Sequence, residues 1–274
     1  MSAQKKEMSF LNHLEELRWT LIRSTGAIFG FGIIAFFMKS FIFNKIILAP
    51  KSVDFFTYRF MCNLSKSFGT EGLCIDEIPF LVQSRTMAGQ FSAHIWTSIA
   101  AGFIMAFPFI VWEVWKFIKP ALYPQERKGA ATFIIVSSFL FFVGILFGYY
   151  IITPLSVNFL GSYTVADEVK NNIDLSSYIG LLKASVLSSG LIFEMPIVIY
   201  FLTKMGLVTP EFLKKYRKYA LVIVLILAAI ITPPDLISQI IVAIPMMILY
   251  ELSIFISARV IKNQLKQEKK VRVS

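Results

Sequence analysis

The run Ala130–Ile152, AATFIIVSSFLFFVGILFGYYII, contains 23 consecutive residues without a charged side chain. As an α-helix it would rise about 35 Å, which exceeds the roughly 30 Å hydrocarbon core of a bilayer. The whole chain of 274 residues is 56% hydrophobic and only 16% charged. A soluble domain of this length cannot bury so much apolar surface, so the sequence predicts an integral membrane protein.

Six apolar runs are candidates for membrane spans. In chain order they are Leu21–Met38, Ile95–Ile118, Ala130–Ile152, Tyr178–Leu202, Tyr219–Ile231 and Leu236–Ile256. The fifth would cover only about 20 Å, and polar residues and a proline interrupt the sixth, so the last two are predicted to form a short hairpin. The expected fold is all-α and polytopic, with one six-span domain over residues 1–258, a long outer loop over 39–91 and a basic tail over 259–274.

Lysine and arginine are concentrated on one face of this arrangement. Of the 27 in the chain, 19 lie at the N-terminus, around the second-to-third and fourth-to-fifth connections, and in the C-terminal tail. The positive-inside rule therefore places both termini in the cytoplasm. The net charge of +10 indicates anionic membrane lipid rather than nucleic acid as the partner of these residues.

Histidine and cysteine are too few for an obvious metal site. The chain has two of each, without metal-ligand spacing, and no catalytic or nucleotide-binding motif. No metal, cofactor or enzymatic activity is therefore expected. Cys62 and Cys74 lie in the long outer loop, where a disulfide would stabilise the fold by roughly 3 kcal/mol. Two free thiols are an equally compatible interpretation.

The segment His13–Arg18, HLEELR, precedes the first span and has helical periodicity. One side carries the apolar residues Phe10, Leu14, Leu17 and Leu21, and the other side carries His13, Glu16, Thr20 and Arg23. This pattern predicts an amphipathic helix that lies at the cytoplasmic surface and continues into the first span.

Glu16 and Glu126, the second in ALYPQER, lie on the same predicted cytoplasmic face. Each carboxylate can accept a bidentate guanidinium, so a ligand with two arginines would fit there. A solvated helix face for Glu16 and a helix N-terminus for Glu126 are the simpler alternatives. Glu113 and Glu251 lie near the cytoplasmic ends of their spans, where solvation at the interface is expected.

Glu194, in IFEMPIVIY, lies deep in the fourth predicted span. An ionised carboxylate there is costly unless it is paired, protonated or faces a polar cavity, and Pro196 is expected to kink the helix. A helix–helix hydrogen bond, a docking point for a partner and a proton-relay site all stay open. Asp235 follows a Thr-Pro-Pro turn and is predicted to cap the sixth helix.

HLEELR, PALYPQER, FEMP and TPPDLISQIIVAIPM, in this order on six spans, resemble the TatC family, the core subunits of twin-arginine protein translocases. The resemblance implies a cup-like six-helix fold in the bacterial inner membrane with both termini cytoplasmic. It also implies that the protein receives folded precursors whose signal peptides carry consecutive arginines, and starts their export with the proton gradient. The implied partners are these signal peptides and single-span TatA- and TatB-type subunits in an oligomeric complex.

The same resemblance assigns functions to individual residues. Glu16 and Glu126 would form the twin-arginine recognition surface, with Leu17 and Arg18 in the supporting motif. Glu194 would contact partner subunits, and the motif residues Pro50, Pro196 and Asp235 also match. Family members often carry a second arginine in the N-terminal motif, where this chain has Thr20, and its outer loop is longer than usual.

A proton-coupled small-molecule transporter with Glu194 as its titrating group is the main alternative. The two halves of the chain show no matched pair of broken helices and no inverted repeat, which disfavours it. An intramembrane enzyme is a weaker alternative, because no nucleophile–base pair can be recognised in the spans.

Overall fold

The described backbone of the computed structural model is almost entirely helical. It covers residues 10–67, 69, 74–75, 78, 80–119, 130–166, 168–169 and 171–273. The helices are, in chain order, α1 (Phe10–Phe37), α2 (Lys39–Phe41), α3 (Phe56–Ser67), α4 (Gly89–Ile118), α5 (Ala130–Phe147), α6 (Thr153–Ser162), α7 (Leu175–Phe193), α8 (Met195–Lys204), α9 (Pro210–Lys215), α10 (Arg217–Ile231) and α11 (Leu236–Val273). Short π-helical and 3-10 turns cover Ile42–Ile47, Ala49–Lys51 and Gly148–Ile152. The all-α prediction is confirmed, apart from a parallel ribbon of β1 (Leu81–Gln83) and β2 (Asn172–Asp174).

Five helical segments of the described chain are long and apolar enough to cross a membrane: His13–Phe37, Gly89–Ile118, Ala131–Ser162, Leu175–Lys204 and Ser238–Leu265. They correspond to five of the six predicted spans, and the chain is a multi-pass membrane protein. The remaining predicted span is α10, whose 15 residues rise only about 22 Å. It is therefore as short as the sequence indicates.

Helix α11 extends beyond the apolar run that predicts it. The helix does not end at Ile256 but continues through the basic tail to Val273. The tail is rich in lysine, arginine and glutamine, which are good helix formers without being apolar. Hydropathy alone therefore locates the membrane-crossing part of α11 and not its end.

The first of two compact units comprises the residues up to Ile42 together with Phe91–Phe139. Within it, α1 and α4 run antiparallel and approach closely at two glycines. A Cβ added to Gly102 would lie 2.6 Å from the backbone nitrogen of Gly32. Small residues allow this approach in a bilayer, where packing rather than the hydrophobic effect holds helices together.

The second unit comprises Phe43–Gln90 and Leu140–Ser274. The end of α5 packs tightly on α7, since a Cβ on Gly144 would lie 2.7 Å from the carbonyl oxygen of Ser189. Helices α10 and α11 share a buried apolar cluster of Ile152, Val224, Ala228, Val242, Ala243 and Met246. A second cluster joins α8, α9 and α11 through Ile199, Leu213, Tyr250 and Ile254.

Buried tyrosines hold the segment between α2 and α3. The hydroxyl of Tyr58 lies 3.0 Å from the carbonyl oxygen of Pro50 and 2.9 Å from that of Pro154. Tyr178 donates a hydrogen bond to the carbonyl of Ile47 at 2.8 Å. Burial raises the pKa of Tyr58, which keeps its hydroxyl protonated as a donor. Pro50 is itself buried at this junction.

The outer loop is closed by a disulfide and tied to the start of α7. Cys62 of α3 is bonded to Cys74, with their Cα atoms 4.3 Å apart. Beyond β1, Arg85 donates from its guanidinium to the carbonyl oxygen of Asn172 at 2.7 Å. Backbone N–H groups, first that of Ser176 and then that of Arg85, hold the pKa of Asp174 below its ordinary value. Both contacts bring the loop to the residues that begin α7.

Candidate functional site

Helix α1 packs against its neighbour with its polar side and not with its leucine stripe. Leu14, Leu17 and Leu21 are 45%, 36% and 59% exposed, whereas Thr20 and Ser24 are buried. The leucine stripe therefore faces away from the protein, as it does in helices that contact lipid. The helical prediction for HLEELR is confirmed, with one protein-facing and one outward-facing side, whereas its position at the cytoplasmic surface stays a prediction.

The polar side of α1 lies against the last turns of α4. The ring of His13 stacks on Phe117, with their centroids 4.3 Å apart. Glu16 follows one turn later on the same side and is half-buried. In the adjacent turns, Trp115 of α4 contacts Phe133 of α5 at 4.9 Å between ring centroids. The start of α1, the end of α4 and the start of α5 thus meet at one end of the first unit.

Three of the predicted recognition residues lie at this end. Glu16, Leu17 and Arg18 are in the second and third turns of α1, and Leu17 and Arg18 are exposed. Glu126 lies outside the described residues, in the connection between Lys119 at the end of α4 and the first residue of α5.

Glu113 of α4 is a correction to the sequence prediction. It was expected to be solvated at the interface, but its side chain is only 1% exposed. It accepts hydrogen bonds from Arg23 Nη1 at 3.1 Å and from Lys116 Nζ at 2.6 Å. Lys116 also lies over the ring of Trp112, 3.5 Å from its centroid. The expectation was wrong because hydropathy gives the depth of Glu113 along α4 but not that this side of α4 faces α1.

The Glu113 cluster engages Arg23, which lies two turns after Glu16 on α1, and Lys116, which precedes Phe117 on α4. A buried carboxylate is tolerated only when it is paired, and here two cations share it. Both Arg23 and Lys116 are thereby held on Glu113. Among the residues that the structure describes, no cation lies within ion-pair distance of Glu16. The pair of Glu113 and Lys116 could have been predicted from their spacing of three residues on a helix. The contact of Arg23 with Glu113 could not, because it depends on how α1 and α4 pack.

Glu194, in the second unit, is the single residue that interrupts the helix of the fourth predicted span. It ends α7 and precedes α8, with φ −75° and ψ −7°. Pro196 lies in the first turn of α8, where its missing N–H costs nothing. The interruption is confined to Glu194, whose dihedral angles stay in the right-handed helical region, so Leu175–Lys204 continues as one crossing segment with the half-buried Glu194 side chain at the interruption.

Asp235 caps α11, as the sequence predicts. Its Oδ2 accepts a hydrogen bond from the backbone N–H of Ser238 at 2.8 Å.

Glu251, which was expected to be solvated, is 46% exposed and pairs with Arg217 at 2.7 Å. In the described ranges, no group of three or more histidine, cysteine, aspartate or glutamate side chains is placed to hold a metal ion.

The chain is similar to one family over most of its length. Residues 12–245 match the family model described as Sec-independent protein translocase protein (TatC). The TatC protein of Blattabacterium sp. subsp. Periplaneta americana is 45% identical over 266 residues, which cover 96% of this chain and 100% of that protein. That of Helicobacter pylori is 37% identical over 248 residues, covering 90% and 87%. A solved structure described as a twin arginine translocase receptor, TatC, superposes with a TM-score of 0.68 at 34% identity, covering 90% of this chain and 99% of that one.

Proposed function

The chain belongs to the TatC family of Sec-independent protein translocases, and we propose that it is the core receptor of a twin-arginine translocase. It binds the paired arginines of signal peptides on folded precursors and starts their export, which the proton gradient drives. Members of the family are translocase components rather than enzymes, and membership gives no support to a small-molecule transporter.

The observation that carries this proposal is the position of Glu16. Its half-buried side chain lies where α1 begins and α4 ends, and Arg23, two turns further along α1, and Lys116, which precedes Phe117 on α4, are held by Glu113. A partly desolvated carboxylate can accept two parallel N–H bonds from one guanidinium. Each charge-assisted hydrogen bond of this kind contributes about 1.5–3 kcal/mol. Glu16 therefore receives one arginine of the signal.

Glu126 supplies the second carboxylate. It is carried by the connection that leaves the end of α4 and enters α5, and these two helix ends belong to the same end of the first unit as Glu16. Two carboxylates on separate elements match two consecutive arginines, and lysine cannot reproduce the bidentate fork. Leu17 and Arg18, exposed beside Glu16, extend the surface for the residues around the arginine pair.

The protein operates in the bacterial inner membrane with both termini in the cytoplasm. The positive-inside excess supports this orientation, because 19 of the 27 lysines and arginines fall on the face that carries the termini. The recognition surface is then on the side where precursors are synthesised.

Partner subunits of the TatA and TatB type contact the protein near Glu194. A carboxylate at a helix junction within an apolar span is a site where a polar group of a single-span partner can form a hydrogen bond. The Glu194 side chain is half-buried where α7 meets α8, and Pro196 lies in the first turn of α8. The partners and the receptor form an oligomeric complex.

The test is binding of a signal peptide to the purified full-length protein in nanodiscs. The affinity of a peptide with Arg-Arg is compared with that of the same peptide with Lys-Lys. We expect the Arg-Arg peptide to bind at least several-fold more tightly. Equal affinities would overturn the assignment as a twin-arginine receptor.

A further inference from the structure

Helix α3 has one face buried in the protein and one face that is exposed and apolar. Tyr58 and Ser65 on the buried face are each 2% exposed. Phe56, Phe60 and Leu64 on the other face are 60%, 57% and 44% exposed. These three residues are four apart, so they fall within an arc of about 80° on the helix.

The exposed aromatic arc is continuous with the end of a membrane span. Phe56 stacks on Phe60 at 6.2 Å between ring centroids and meets Tyr150 edge-to-face at 5.9 Å. The crossing segment Ala131–Ser162 rises about 48 Å, more than the roughly 30 Å hydrocarbon core, and the point 30 Å from its start lies near Tyr150. Tyr150 is 38% exposed, as tyrosines at a membrane–water boundary are. The arc of α3 therefore begins where the lipid-facing surface of the span ends.

Two cations border the arc. Arg59 and Lys66 are exposed and fall beside Phe56, on the side away from Leu64. Among the described residues neither has an ion-pair partner. Long basic side chains at such a border can reach lipid phosphates while their stems cover apolar surface.

We propose that α3 lies along the membrane surface, with Phe56, Phe60 and Leu64 inserted between lipid chains and with Arg59 and Lys66 bound to lipid phosphates. An apolar arc with cations along one border is the arrangement of an interfacial helix. The contacts of Tyr58 and the Cys62–Cys74 disulfide hold this helix at the boundary. The outer loop is thereby anchored in lipid.

A protein partner fits this face less well than lipid does. Specific protein interfaces bury roughly 1,000 Å² or more, which is far more area than three side chains within one narrow arc provide. A bilayer needs no such minimum, since each apolar side chain partitions independently. The occupant is therefore a lipid surface and not a second polypeptide.

The test replaces Phe60 with the photoreactive residue p-benzoylphenylalanine in the full-length protein. The purified protein is placed in liposomes of phosphatidylethanolamine and phosphatidylglycerol, illuminated, and examined by intact mass. The control carries the same residue at Thr86, which is also exposed but lies outside α3 and is not among the residues placed on lipid. Formation of the Cys62–Cys74 disulfide, detected on a non-reducing gel, shows that each variant has folded.

We expect phospholipid adducts at position 60 in several-fold higher yield than at position 86. We also expect phosphatidylglycerol to be enriched in these adducts over its share of the vesicle, and an Arg59→Gln/Lys66→Gln variant with the photoreactive residue at position 60 to lose the enrichment. Equal adduct yields at the two positions, or a cross-link from position 60 to a second copy of the chain in place of lipid, would overturn the proposal.

Discussion

Replacing Glu113 with glutamine tests the charge balance beside Glu16. The carboxylate is 1% exposed and binds Arg23 at 3.1 Å and Lys116 at 2.6 Å. Glutamine keeps the volume and one oxygen acceptor, so the change is almost purely electrostatic. The two cations stay in contact with water, because their side chains are 50% and 38% exposed. We therefore expect a loss of about 1–3 kcal/mol in the free energy of unfolding, below the roughly 3–5 kcal/mol that follows when a buried charge is left unpaired.

Removing both cations instead should be more costly than removing the carboxylate. In an Arg23→Met/Lys116→Met variant the buried Glu113 loses both partners, which costs about 3–5 kcal/mol. Either single cation variant leaves Glu113 paired with the other cation. The effect of the double variant should therefore exceed the sum of the two single effects.

Unfolding of the purified variants in detergent, followed by circular dichroism, measures these differences. The reasoning is refuted if Glu113→Gln destabilises the protein as much as the double cation variant does. A second readout is the affinity for an Arg-Arg signal peptide, which should fall several-fold in Glu113→Gln because the released Arg23 and Lys116 can compete for Glu16. An unchanged affinity would show that the cluster does not control the charge near Glu16.

Three further substitutions test other parts of the account. Glu16→Gln should weaken binding of an Arg-Arg peptide by about 10- to 150-fold, the equivalent of one charge-assisted contact. The control variant Glu15→Gln, at an exposed neighbouring position, should leave the affinity unchanged, and equal losses in both variants would contradict a specific function of Glu16. Gly102→Ala should lower the free energy of unfolding, measured by thermal melting, by about 1–3 kcal/mol because the added Cβ would meet the backbone of α1. The control Gly26→Ala should be neutral or stabilising, because a Cβ added there has no neighbouring atom within 4 Å. Asp235→Ala should lower the free energy of unfolding by about 0.5–2 kcal/mol because the α11 cap is lost, and Asp235→Asn, which retains an acceptor, should lower it less. Identical melting of the two variants would show that the cap adds nothing to stability.

Much of the fold follows from the sequence because bilayer thickness imposes a length on apolar runs. Five predicted spans coincide with helices long enough to cross a bilayer. Helix α10 is short because the apolar run that forms it is short. The cap at Asp235 was equally predictable, since it depends on residues only three positions apart. Both the capping residue of a helix and the length of an apolar run can be read from one sequence.

Features that depend on how helices pair were not predictable in this way. The burial of Glu113 requires α4 to turn that side toward α1, and the partner Arg23 is 90 residues away in sequence. The ribbon of β1 and β2 has three residues in each strand, too few for an alternating pattern to be recognised. At Glu194 the sequence indicated a bend near Pro196, but not that the interruption would be confined to one residue with right-handed helical dihedral angles.

The most direct measurement of the central claim is a double-mutant cycle between receptor carboxylates and peptide arginines. The affinity of the full-length protein in nanodiscs is measured for peptides in which each arginine in turn is replaced by citrulline, its uncharged analogue. The same peptides are measured with the Glu16→Gln and Glu126→Gln variants. The account predicts that each carboxylate couples to one arginine by about 1.5–3 kcal/mol, so that citrulline at that position costs little once its carboxylate is removed. Citrulline penalties that stay the same in both variants would contradict recognition by Glu16 and Glu126.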